Sequence, residues 1–153
     1  MHQNRRRLLT LTLGLSGLFA GLLHADTPFK WQGSKGWEPE SAYCRLYDSK
    51  TVVTLQGTVE RVEKAAPIKG MGHGIHLILK TDTETIPVQL GPSWYVDQLG
   101  IVFQAKDSVE VTGSRVPCEG KPVILAAEIT RNDEVAKFRE LKGRPLWAKG
   151  PTR

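Results

Sequence analysis

Leu90-Gly91-Pro92-Ser93-Trp94-Tyr95-Val96-Asp97-Gln98-Leu99-Gly100 reads as a short helix set between two groups of β-strands, and that placement decides the fold. Pro92 suits a first helical turn, where its missing N–H would have no partner, and Gly100 suits the left-handed residue that closes a helix. So short a helix does not hold alone in water. An apolar face must anchor it, and Trp94, Tyr95 and Leu99 supply one. Three strands, a helix and two more strands is the order of the Greek-key OB barrel, whose helix closes one end. The expected fold is all-β with one short helix: a five-stranded OB-fold-like Greek-key barrel after an N-terminal signal or anchor segment.

Alternation locates the strands. On the first, about Thr51 to Val62, Val53, Leu55 and Val59 face one way and Thr54, Gln56, Thr58 and Glu60 the other. Gly57 interrupts it, which suits a bulge or sharp bend in a long barrel strand. The second, about Ile75 to Thr81, turns Ile75, Leu77 and Leu79 inward and His76, Ile78 and Lys80 outward. Ile86, Val88 and Leu90 form the inward face of the third. Val109, Val111 and Gly113 mark the fourth; Val123, Leu125, Ala127 and Ile129 mark the fifth. The barrel is expected over 51–131. Residues 26–50 read as an irregular lead-in with helical turns across Ser41 to Asp48, and 132–153 as a terminal hairpin and basic tail.

Residues 1–25 have the layout of an export signal: Arg5-Arg6-Arg7, an apolar run from Leu8 to Leu23, and a cleavage site at Leu23-His24-Ala25. A retained membrane anchor is the alternative, although the run is short against the roughly 20 residues of a bilayer span. The whole chain carries +5, and residues 26–153 carry +2. Val135 to Arg153 alone carry +5, so the basic character is confined to the tail. Lys137, Arg139, Lys142 and Arg144, with Trp147, form the candidate contact surface for a membrane or an acidic partner. A plain solvated terminus is the alternative.

Cys44 and Cys118 are the only cysteines, and in an exported chain an even count favours a disulfide between them. Separate buried or metal-binding thiols remain open. No CxxCH occurs, so covalent haem is not encoded, and Walker, GxSxG and HExxH motifs are absent. Met71, His73 and His76 form a candidate metal site for iron or copper, because thioether and imidazole suit transition metals. Residues three apart point to opposite faces of a strand, so convergence requires an irregular loop through His73. The scattered Asp97, Asp107, Glu110 and Glu128 assemble no nucleophile, base and orienting group, which favours a non-catalytic module. The span Lys64 to Leu90, where OB folds bind ligands, has no outward aromatic series, which disfavours single-stranded nucleic acid.

Gly74-Ile75-His76-Leu77, Lys80 to Ile86, Leu90-Gly91-Pro92-Ser93-Trp94-Tyr95 and Arg144-Pro145-Leu146-Trp147 together resemble the domain shared by the magnetosome proteins MamS and MamX and their bacterial relatives. The LGPSWY and RPLW elements carry the specificity. The resemblance implies an exported, membrane-associated accessory protein of magnetite biomineralisation, affecting crystal growth and size, among other magnetosome or envelope proteins. It places the protein in the magnetosome membrane or periplasm. MamX-type proteins carry haem-binding CxxCH motifs, so the haemless MamS-like branch is the closer likeness. A general periplasmic OB module for a ligand or metal is the alternative.

Overall fold

The computed structural model describes residues 35–149. The export or anchor segment expected at 1–25 lies outside the described residues. Among the described residues there are six strands: β1 (Val52–Ala65), β2 (Gly74–Lys80), β3 (Thr85–Pro92), β4 (Ser108–Cys118), β5 (Lys121–Arg131) and β6 (Glu134–Lys137). One helix, α1 (Ser93–Gln98), joins β3 to β4. Hydrogen bonding runs β3-β2-β1-β4-β5-β6, antiparallel between these neighbours, and a short parallel pairing of β3 with β5 closes the first five strands into a ring. The circuit β1-β2-β3-β5-β4 is that of the OB fold. Val135 to Lys137 extend the sheet as part of β6 on β5, and the hairpin expected around Lys142-Gly143 follows, with Arg139 bridging Pro145 antiparallel and Leu146 N–H donating to the Phe138 carbonyl (3.0 Å). Among the described residues no helix is long and apolar enough to cross a membrane.

The inward rows are those that alternation predicts: Val59, Leu77, Leu79, Val88, Val111 and Ile129 are all buried. Each such side chain contributes roughly 1.5–3 kcal/mol by leaving water. Gly57 has a different role from the expected bulge. A Cβ there would stand 2.5 Å from the Lys80 carbonyl oxygen, so the glycine lets β2 approach, and the irregularity falls later, between Val59 and Arg61. Pro92 stays extended (φ −60°, ψ 141°), ending β3 and preceding the helix rather than occupying its first turn. Gly100 takes the left-handed conformation (φ 71°) as expected. Val96 is the buried helical residue, while Trp94, Tyr95 and Leu99 are half-buried against the core.

Candidate functional site

OB folds turn strands two and three, with the adjoining loops, toward ligands. Here the chain's own ends cover part of that face. Gly74 on β2 and Gly91 on β3 lack side chains where two indoles lie: a Cβ would stand 2.5 Å from the Trp37 ring at Gly74 and 2.9 Å from the Trp147 ring at Gly91. The two indoles meet edge-on with centroids 5.6 Å apart. Tyr43 meets Trp37 at 5.0 Å, and Tyr95 of α1 tilts onto Trp147 at 5.8 Å. Both indole N–H groups are used, Trp37 Nε1 donating to the Gly72 carbonyl (2.8 Å) and Trp147 Nε1 to the Trp37 carbonyl (2.9 Å). Both rings are fully buried. The result is an aromatic cap that joins lead-in, helix and tail.

The expected exposed patch of Arg139 and Trp147 is therefore corrected: both are interior. The N–H groups of Phe138 and Arg139 both donate to the Ala127 carbonyl (2.7 and 3.1 Å), which breaks the strand alternation and leaves both side chains buried. Arg139 Nη1 donates to the carbonyls of Ala126 (2.6 Å) and Leu90 (3.2 Å), with Gln89 at the limit (3.5 Å). Its Cζ lies 4.8 Å from the Trp147 ring centroid. A buried cation is costly unless compensated. Carbonyl dipoles and a ring face provide compensation here. Beside it, the Tyr43 hydroxyl donates to Gln89 Oε1 (2.7 Å). Burial lifts the Tyr43 pKa far above its ordinary range against the pull of Arg139, so the phenol stays neutral and able to donate.

Met71, His73 and His76 occupy three different environments. Met71 lies across Gly36 and packs against the core. His73 is exposed, and its carbonyl accepts from Ser93 N (3.0 Å). His76 lies on β2 opposite Gln89, buried rather than exposed, with Nε2 lacking a partner. Burial pushes its imidazole pKa below 6.5, and Glu63 opposes that shift. Among the described residues no three His, Cys, Asp or Glu side chains are grouped to hold a metal ion. The Cys44–Cys118 bridge is not formed. Both are free, buried thiols, Cys44 Sγ against the Trp37 carbonyl (3.7 Å) and Cys118 Sγ against that of Pro67 (3.9 Å). Burial raises both thiol pKa values, which keeps them protonated and inert.

Lys137, Lys142 and Arg144 are exposed, together with Lys149, and Glu140 is the acid among them. Arg144 and Lys149 flank a shallow depression of about 240 Å³ floored by Pro145, Leu146 and Ala148. Leu141 projects at its turn, 58% exposed. Tyr47 pins that turn: its hydroxyl donates to the Leu141 carbonyl (3.1 Å), and its ring fills the space beside Gly143, whose φ of 99° needs a glycine. Position in the tail suggested this rim, but no periodicity showed that its neighbours Arg139 and Trp147 fold inward.

The LGPSWY and RPLW elements meet in the cap, where Trp147 stands on Gly91 and against Tyr95. Over residues 51–136, more than half of its length, the chain matches the family model of the MamS/MamX magnetosome proteins. It belongs to that family. The closing Arg144 to Trp147 lie beyond the matched residues. No curated protein matches the chain.

Proposed function

From its place in the MamS/MamX family we infer that this chain is an exported, membrane-associated, non-catalytic accessory protein that affects magnetite crystal growth and size. The match across the strand ring carries the reading. With no CxxCH, the chain has no covalent haem attachment through which to pass electrons, which favours a role at a surface. The exposed Lys142, Arg144 and Lys149 of the terminal turn supply cationic side chains suited to an anionic bilayer. Deleting the gene in its host and measuring crystal lengths by electron microscopy tests the role. Crystals change size in the deletion and recover when the chain is returned; crystals of unchanged size overturn the reading. Fractionation at graded salt tests that contact, since Lys142→Gln with Arg144→Gln should release the chain at lower ionic strength.

A further inference from the structure

The large apolar side chains exposed among the described residues are Val62, Val102, Val135, Leu141 and Leu146. Two of these, Leu141 and Leu146, belong to the terminal turn and stand 58% and 36% exposed. Single apolar residues on a surface need no explanation, whereas neighbouring ones set among cations mark a contact. The turn that carries them is ordered. Gly143 N–H donates to the Glu140 carbonyl (2.7 Å), Glu140 N–H donates to that of Arg144 (2.9 Å), and Arg139 bridges Pro145 antiparallel. The Tyr47 hydroxyl holds the Leu141 carbonyl (3.1 Å), so the backbone is fixed while the leucine side chain stays in water. Arg139 and Trp147 on either side are interior, which mounts the turn on the core.

Its charges are of one kind but for a single residue. Lys142 follows Leu141 directly, and Arg144 and Lys149 flank the depression floored by Pro145, Leu146 and Ala148. All three are exposed, and Glu140 is the one acid from 138 to 149. With Phe138 and Trp147 buried, the segment exposes no ring on which a base could stack or a protein interface could anchor. An apolar tip among long cationic side chains instead matches anionic lipid. The leucine reaches the acyl boundary while lysine and arginine extend their heads to the phosphates.

We propose that the turn from Glu140 to Lys149 docks on an anionic lipid bilayer, with Leu141 inserted below the headgroups and Lys142, Arg144 and Lys149 on lipid phosphates. The proposal rests on the membrane association inferred above, and it assigns the contact to an apolar tip as well as to charge. Insertion of a turn mounted on the cap holds the strand ring in one orientation on the bilayer. The two contributions separate by salt. Each lysine or arginine strengthens binding to an anionic surface about fivefold, and this part fades as ions screen it. Each buried methylene adds up to about fourfold, and salt leaves that part standing.

The test titrates the full chain with vesicles of phosphatidylcholine alone and of phosphatidylcholine with phosphatidylglycerol. Co-sedimentation gives the bound fraction, and circular dichroism checks the fold of each variant. Residues 1–25 are common to all variants, so the ratio of variant to wild type on anionic vesicles is the readout. Leu141→Ser should weaken binding about tenfold at low and high salt alike, and Leu141→Met should restore it. Lys142→Gln with Arg144→Gln should weaken it about 25-fold at low salt and little at high salt. Amide hydrogen exchange reads the turn directly in the wild type: Leu141 and Lys142 should slow at least about threefold on anionic vesicles and not on neutral ones. That measurement decides the matter should Leu141→Ser melt early. Wild-type binding by a folded Leu141→Ser variant, or unslowed exchange at the turn, overturns the proposal. Displacement by glycerol phosphate beyond that by potassium chloride of equal ionic strength overturns it in favour of a soluble phosphate ligand. In the host, a wild-type chain found in the soluble fraction at low salt refutes membrane association and this contact with it. A membrane-bound wild type whose Leu141→Ser variant is retained equally at every salt refutes the insertion alone.

Discussion

Replacing Trp147 with alanine tests whether the tail is part of the core or a free basic patch. The indole is fully buried, touches the Trp37 and Tyr95 rings, covers Gly91 and lies under the Arg139 guanidinium. Removing a buried tryptophan side chain costs about 3–5 kcal/mol in transfer and cavity terms. A desolvated cation–π contact is worth about 2 kcal/mol more, although the two overlap. A loss of about 4–5 kcal/mol is expected, a large part of the roughly 5–15 kcal/mol that stabilises a typical domain. At about 4 °C per kcal/mol the melting temperature falls by about 15–20 °C. Urea titration and thermal circular dichroism measure both quantities. Trp147→Phe separates the contributions: it keeps a ring over Gly91 but drops the N–H to the Trp37 carbonyl, so its cost should be only about 1–2 kcal/mol. A loss for Trp147→Ala within about 0.5 kcal/mol, as for an exposed residue, would refute the cap and restore the exposed patch.

Arg139→Lys should cost about 1–3 kcal/mol by urea titration, because an ammonium cannot lie flat on the Trp147 ring while one nitrogen, as Nη1 does here, donates to the Ala126 and Leu90 carbonyls. His76 titrates below its ordinary pKa because it is buried, so the unfolded chain takes up the proton first. Its contribution is therefore complete above about pH 6.5 and declines as pH falls through the lower, folded value; His76→Gln should flatten that part of the stability profile, separately from the more acidic loss of the Glu84–Arg115 pair. Thiol labelling without reductant should find Cys44 and Cys118 slow in the native chain and both reactive after denaturation; no reactive thiol in the denatured chain would establish a bridge.

The ring was legible because β1, and β4 as far as Thr112, bury one face and wet the other, which leaves a period of two in the sequence, while β5 buries Val123 to Ala127 on both faces and shows as an apolar run. The outer face of β2 was not, since residues 35–48 and 138–149 cover part of it without any periodicity that announces contact. His76 and Ile78 consequently look outward in sequence yet are buried. A signal was available in Gly74 and Gly91, two strand glycines in a chain with tryptophans unassigned to any strand. Glycine inside a strand marks close approach of another group, and here that group is an indole ring. Arg139 gave no comparable signal. Its burial follows from two successive N–H groups sharing the Ala127 carbonyl, an irregularity no residue pattern specifies. The candidate metal residues were close in sequence, but β2 begins at Gly74, so His76 is fixed on a strand while His73 stays in the loop before it.

The residues that most clearly resemble the family are spent on closing the fold. Gly91 receives Trp147, Gly74 receives Trp37, and Tyr95 braces the pair, so the signature occupies the face that an OB fold would otherwise offer to a ligand. The exposed basic residues of the tail and the outward rows of β1, β4 and β5 take no part in this packing, and substitutions there cost the fold little. It follows that the packing of Trp37 and Trp147 onto Gly74 and Gly91 fixes the scaffold, and that outward positions such as Thr54, Glu110 and Arg144 can change without disturbing it.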